Sequence, residues 1–173
     1  MPRLIRIENG RAAWAEDAFV NAPDEEPTPE GNAGVILSLT RFQAEGPALL
    51  DQGRAVGVRL KSDEAVEALA YDLPRLALVA LEFPKFRDGR AFSSAALLRQ
   101  RYGFAGEVRA VGEVLREQIF YMIRCGFDAL EPSDATTPED VAYVASRFRH
   151  VYQSSSDDRD PIFVERQKGA ADA

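Results

Sequence analysis

The residues best equipped for chemistry in this chain stand in one short run, Glu82-Phe83-Pro84-Lys85-Phe86-Arg87-Asp88-Gly89-Arg90. It follows an apolar stretch and precedes Ser93 and Ser94, a residue type that caps helices well. Lys85, Arg87 and Arg90 supply positive charge and Asp88 a carboxylate. A cationic loop ahead of a Ser-capped helix suits a small anion or an acidic partner surface. Asp88 and Glu113, which follows a later apolar run, have the chemistry of an acid/base pair, provided that folding brings them together; structural pairing with an arginine is the reading the sequence favours. Residues 85–124 hold eight Lys or Arg against four acids, a local +4 inside a chain of formal charge −7. Within that span Arg99, Arg101, Arg116 and Arg124 read as solvated helix-face residues.

Other residue types offer less. The single cysteine, Cys125, reads as a buried, inert thiol, and the single histidine, His150, as structural. Together they give no basis for a metal site. There is no GxGxxG after a strand, no P-loop, no GxSxG and no CxxC, so no cofactor is evident. An isoelectric point near 4.9 disfavours nucleic acid. No apolar run approaches the roughly 20 residues that span a bilayer, and Met1-Pro2-Arg3-Leu4 does not open like a signal peptide. With 46% hydrophobic residues in 173, the expectation is a globular, cytoplasmic protein that does not act at a membrane.

The elements that must position the loop are legible as alternating patterns. Five apolar segments of strand length begin near Val35, Ala55, Leu76, Glu107 and Phe127. Helical patterns lie between them: a short one from Pro47, one opened by Ser62-Asp63-Glu64, one capped by Ser93 or Ser94, one through Leu115, Ile119 and Met122, and one started by Thr137-Pro138 and running to Tyr152. The alternation predicts an α/β domain over residues 34–153. Its sheet is expected to be mostly parallel with crossover helices, either a partial (β/α)8 barrel or an open doubly wound sheet. Residues 1–15, with Asn9-Gly10 between two apolar runs, predict a β-hairpin. Residues 16–33 carry six acids, no base and three prolines, and read as a mobile linker. Residues 154–173 read as a polar tail, with Ile162-Phe163-Val164 as a small strand or anchor. If the strands are parallel, Arg41, Lys61, Lys85, Arg87 and Arg90 gather at their C-terminal rim. Ser93, Arg109, Asp88 and Glu113 complete the set of candidate residues.

One long string is distinctive: Leu78-Val79-Ala80-Leu81-Glu82-Phe83-Pro84-Lys85-Phe86-Arg87-Asp88-Gly89-Arg90-Ala91-Phe92-Ser93, then Gly106-Glu107-Val108-Arg109-Ala110-Val111-Gly112 and Arg124-Cys125-Gly126-Phe127-Asp128-Ala129. It resembles the bacterial family called domain of unknown function 934, over about residues 34–152. The resemblance implies a role beside assimilatory sulfite reduction, with the sulfite reductase hemoprotein subunit as partner. Members of the family are often labelled probable oxidoreductases. The family brings no catalytic residues to carry over. Two readings follow: an accessory protein that docks on the reductase or helps deliver electrons or sulfite, and a small α/β enzyme that binds an anionic sulfur or phosphate compound at the strand ends.

Overall fold

The computed structural model describes residues 3–157 and 159–171. Eight strands form one sheet: β1 (Leu4–Glu8), β2 (Arg11–Ala15), β3 (Phe19–Asn21), β4 (Gly34–Ser38), β5 (Val56–Leu60), β6 (Leu78–Phe83), β7 (Glu107–Gly112) and β8 (Ala129–Leu130). Their order is β2-β1-β8-β7-β6-β5-β4-β3. β3 through β8 pair in parallel, whereas β1 pairs antiparallel with both β2 and β8. The sheet is therefore mixed. The N-terminal hairpin forms as expected, with Asn9 and Gly10 both at positive φ and Glu8 opposite Arg11.

Connectivity forces the sheet to curl. β2 and β3 are its two outermost strands, yet only residues 16–18 join them. A flat sheet of eight strands would hold its edges roughly 34 Å apart, while four Cα steps reach at most about 14 Å. The sheet resolves this by bending into a half-barrel. Its convex face carries Val35, Leu37, Val58, Leu60, Val79, Leu81, Val108 and Ala110, which pack against Phe42, Leu69, Leu98, Ile119, Met122 and Val141 from the helical layer in one continuous core. The other face carries a separate small cluster of Ile36, Leu78, Ala80 and Val111 with Phe19. The helices thus share one face, which excludes the doubly wound alternative.

The helices are α1 (Leu39–Asp51), α2 (Arg90–Ala96), α3 (Ile119–Cys125), α4 (Pro138–Ser146) and α5 (Ile162–Ala171). Several depart from the sequence pattern. α1 starts at Ser38, whose Oγ accepts from the Arg41 N–H at 3.2 Å, so Pro47 lies inside the helix instead of opening it. The helix expected after Ser62 shrinks to one 3₁₀ turn, Val66–Leu69. α2 begins at Arg90, places Ser93 within the helix and continues as a π-helical turn, Leu97–Arg101. α4 has the expected Thr137 cap, with reciprocal bonds to Asp140, but ends at Ser146. Ile162-Phe163-Val164 opens α5 instead of a strand.

The acidic stretch of residues 16–33 is held in place, contrary to the linker expectation. It supplies β3, and Arg41 reaches the Pro23 carbonyl and the Thr28 hydroxyl. Arg54 donates to the carbonyls of Pro29 and Ala33 at 2.7 and 3.0 Å. Main-chain acceptors that no apolar pattern advertises meet arginines from α1 and the following loop.

Candidate functional site

The C-terminal ends of β5, β6 and β7 form a rim built around the loop of residues 84–89. On its β5 side the Ser62 hydroxyl donates to Asp88 Oδ2 at 2.8 Å, and Arg90 Nη2 donates to Ser62 Oγ at 2.9 Å. Arg90 also grips both Asp88 oxygens, through Nε at 3.0 Å and Nη2 at 2.7 Å. On the β7 side Glu113 Oε2 accepts from the Phe86 N–H at 2.7 Å. The loop is thus braced from both neighbouring strands, and its shape is set before anything binds.

The bracing decides what the two candidate acids do. The hydrogen bonds of Arg90, then that of Ser62, hold the Asp88 carboxyl far below the usual carboxylate range. A carboxylate so held takes up no proton near neutrality. Glu113 binds the opposite flank of the loop. The two acids act as struts at its two ends, and the structure does not pair them with each other.

The candidate cations divide into three groups. Lys61, Lys85 and Arg87 are exposed at the rim, and no salt bridge or side-chain hydrogen bond engages them within the described residues. Phe86, between the latter two, is 51% exposed. Arg90 is exposed but occupied by Asp88. Ser93 is exposed on α2 and takes no part in the bracing. Arg41 and Arg109 lie elsewhere. Arg41 is nearly buried, pairs with Glu45 and pins residues 23–28.

Arg109 is fully buried on the inner face of the half-barrel. Its partners are Asp17 and Glu107 at 2.7 Å and Glu131 at 3.0 Å, and Arg6 shares Glu107 at 2.7 Å. Burial opposes its charge, but the bonds from Asp17 and Glu107 outweigh that and raise its pKa. Arg109 fills the hollow of the curled sheet and is not a surface ligand group. Glu107 and Arg109 alternate with Val108 and Ala110, so one face of β7 is charged although the strand is central. That alternation is the signal in the sequence for an inner-face ion network.

Of the four arginines expected to be solvated, Arg101 and Arg116 are exposed, whereas Arg99 and Arg124 prove structural. Arg99 donates to the carbonyls of Phe104, Gly106 and Gly126 and to Asp128 Oδ2 at 2.6 Å, tying the end of α2 to the entries of β7 and β8. Arg124 pairs with Asp157 at 3.1 Å, and Arg116 with Asp140 at 3.0 Å. Cys125 is half-buried, and burial raises its thiol pKa, so it is not an activated nucleophile. His150 Nδ1 lies 2.6 Å from Glu165 and joins α5 to the preceding loop. No helix among the described residues is long and apolar enough to cross a membrane.

A comparison with curated proteins finds no match to this chain. A family model does match, over residues 57–163, from β5 into α5. That span contains the braced loop, Lys61, Lys85, Arg87, Asp88, Glu113 and Arg109. It leaves out Asp17, Arg41 and the strands β1 to β4. By this match the chain belongs to a family described as bacterial protein of unknown function, DUF934.

Proposed function

We propose that this chain is an accessory protein that docks, through the β5–β7 rim, on an acidic surface of a larger partner. The observation that carries the reading is the braced loop itself: Lys85 and Arg87, with Lys61 at the end of the neighbouring β5, have no side-chain partner among the described residues, and Phe86 between the first two is half-exposed. Aromatic and Arg side chains on a preorganised surface are the usual anchors of interfaces. Charges left unpaired at a rim steer association toward an opposite potential. The family resemblance directs the choice of partner to the sulfite reductase hemoprotein in the cytoplasm, and the role to assimilatory sulfite reduction.

Docking is favoured over catalysis at the rim because Asp88 and Glu113 already serve as struts. The test is the affinity of purified chain for the reductase hemoprotein, measured with the native sequence and with Lys85→Glu/Arg87→Glu. The expected result is saturable binding that weakens at least about tenfold in the double variant. Equal affinity of the two proteins, or no binding by the native chain, overturns the reading.

A further inference from the structure

Beside the rim, on the inner face of the half-barrel, lies a second feature that shares only Lys61 with the docking surface. A cleft of about 380 Å³ opens between the C-terminal ends of β3 to β6. It lies at the end of a parallel α/β sheet where ligands collect, and its volume is that of a small-molecule site.

The cleft exists because of a local contrast in side-chain size. Ser38, Arg59 and Ala80 stand in register on β4, β5 and β6. Arg59 thus projects between two small residues, and the next side chain of that row, Arg109 beyond Ala80, is taken up by its own ion network with Asp17, Glu107 and Glu131. Lys61 and Glu82, two residues further along their strands, present the same face. Asp24 and Glu64 close the sides.

The charged groups in this cleft are at most partly used. Arg59 Nε meets Glu82 Oε2 at 3.2 Å, but among the described residues its two terminal nitrogens have no partner. Asp24 Oδ1 accepts from Ser38, and Glu64 Oε2 from the Lys61 N–H at 2.8 Å. Among the described residues the second oxygens of Asp24, Glu64 and Glu82 have no partner, and neither has the Lys61 ammonium.

Three carboxylates and two cations thus line one small hollow. A simple oxyanion such as sulfite or phosphate meets the three carboxylates, and a simple amine meets Arg59 and Lys61. A ligand with both signs a few bonds apart satisfies both sets. The Arg59 guanidinium offers parallel donors to a carboxylate, while Glu82 and Glu64 face an ammonium. Ile36 gives the cleft an apolar wall that accepts a short side chain. We propose that this cleft binds a small free α-amino acid as its zwitterion, through Arg59 and Lys61 on the carboxylate and Glu82 and Glu64 on the ammonium.

The test is calorimetric titration of the full chain with glycine, l-alanine, l-serine, l-cysteine and l-valine. Propionate and ethylamine, each carrying one half of the alanine zwitterion, serve as controls, with sulfite and phosphate as competing anions. The expected result is that at least one amino acid binds, with propionate and ethylamine weaker by at least about tenfold. Arg59→Ala and Glu82→Gln are each expected to weaken it by a similar factor, and Glu82→Gln keeps the test decisive if the first variant fails to fold. Lys85→Glu/Arg87→Glu is expected to leave amino-acid binding unchanged, so this inference and the docking reading fail separately. No binding by any of the five amino acids overturns the proposal. Propionate, sulfite or phosphate binding as tightly as the best amino acid does the same, as does undiminished binding in a folded Arg59→Ala or Glu82→Gln variant.

Discussion

Arg109 and Asp17, 92 residues apart in the chain, form a two-pronged ion pair, with Nη1 to Oδ2 at 2.7 Å and Nη2 to Oδ1 at 2.9 Å. Asp17 belongs to the three-residue segment that joins the two edges of the sheet, and Arg109 to a strand at its middle. The pair therefore ties the edges of the half-barrel to its floor. Its geometry is the parallel fork that favours Arg over Lys.

Removing Arg109 leaves Asp17, Glu107 and Glu131 facing one another, with Arg6 on Glu107 as the remaining counter-charge among the described residues. Arg109→Ala is expected to destabilise the fold by about 3–5 kcal/mol, the range for breaking a buried ion pair from one side. Arg109→Lys keeps the charge but loses the fork, and should fall between that variant and the native chain. Urea unfolding followed by circular dichroism checks the order.

The same pair makes a pH prediction. Burial alone would raise the Asp17 pKa, but the Arg109 bonds and the Phe19 N–H outweigh it, and the folded-state value lies below the ordinary 3.8. Stabilisation from a depressed carboxyl is complete above its unfolded pKa and is lost as pH falls through the folded one. Asp17→Asn should therefore be less stable than the native chain at neutral pH, with the gap closing as pH drops below about 4. Asp128 shifts the other way, raised mainly by burial, and moderates the acid loss in both proteins. Unfolding free energies from pH 7 to pH 3 measure the gap, and a constant difference would contradict the assignment.

Gly112 ends β7 at φ +91°, and a Cβ there would lie 2.5 Å from the Phe83 carbonyl oxygen. The neighbour is backbone, so it has no rotamer to change. Gly112→Ala is expected to cost about 1–3 kcal/mol and to disturb the Glu113–Phe86 strut that follows it. Thermal unfolding and limited proteolysis of the 84–89 loop report the two effects.

The rim cations contribute little to stability. Lys85→Glu/Arg87→Glu is expected to change unfolding free energy by less than about 0.5 kcal/mol, as befits exposed side chains without partners among the described residues. Ser62→Ala should leave global stability similarly unmoved but loosen the loop, which loses its β5 brace. Protease cutting between Lys85 and Arg90, faster in Ser62→Ala than in the native chain, is the readout.

The parallel strands, the hairpin turn at Asn9-Gly10 and the Thr137 cap were legible in the chain because each depends on neighbours within a few residues. Apolar runs, a turn dipeptide and a capping box all act locally. The helix after Ser62 did not form because Val66 and Leu69 reach the core in a single 3₁₀ turn, and Pro74 follows soon after. α4 ended before Val151 because that residue is instead held by a bridge to Pro161.

The candidate site was only half visible for the same reason. A row of arginines announces charge, but which ones meet acids is decided by contacts far along the chain. Arg99 reaches Asp128, Arg41 reaches Thr28, and Arg109 reaches Asp17. The stretch of six acids and no base looked unfoldable because its partners lay outside it.

By itself, the amino-acid order determined seven of the eight strands, all but β3, where the cationic loop begins and which family the chain belongs to. Tertiary structure alone decided that the sheet must curl, since only a bent sheet lets three residues bridge its two edges. The curl created an inner face, where Arg109 was taken out of the surface and Arg59 was left in an open cleft. Side-chain charge is written residue by residue, but solvent exposure is a property of the closed surface.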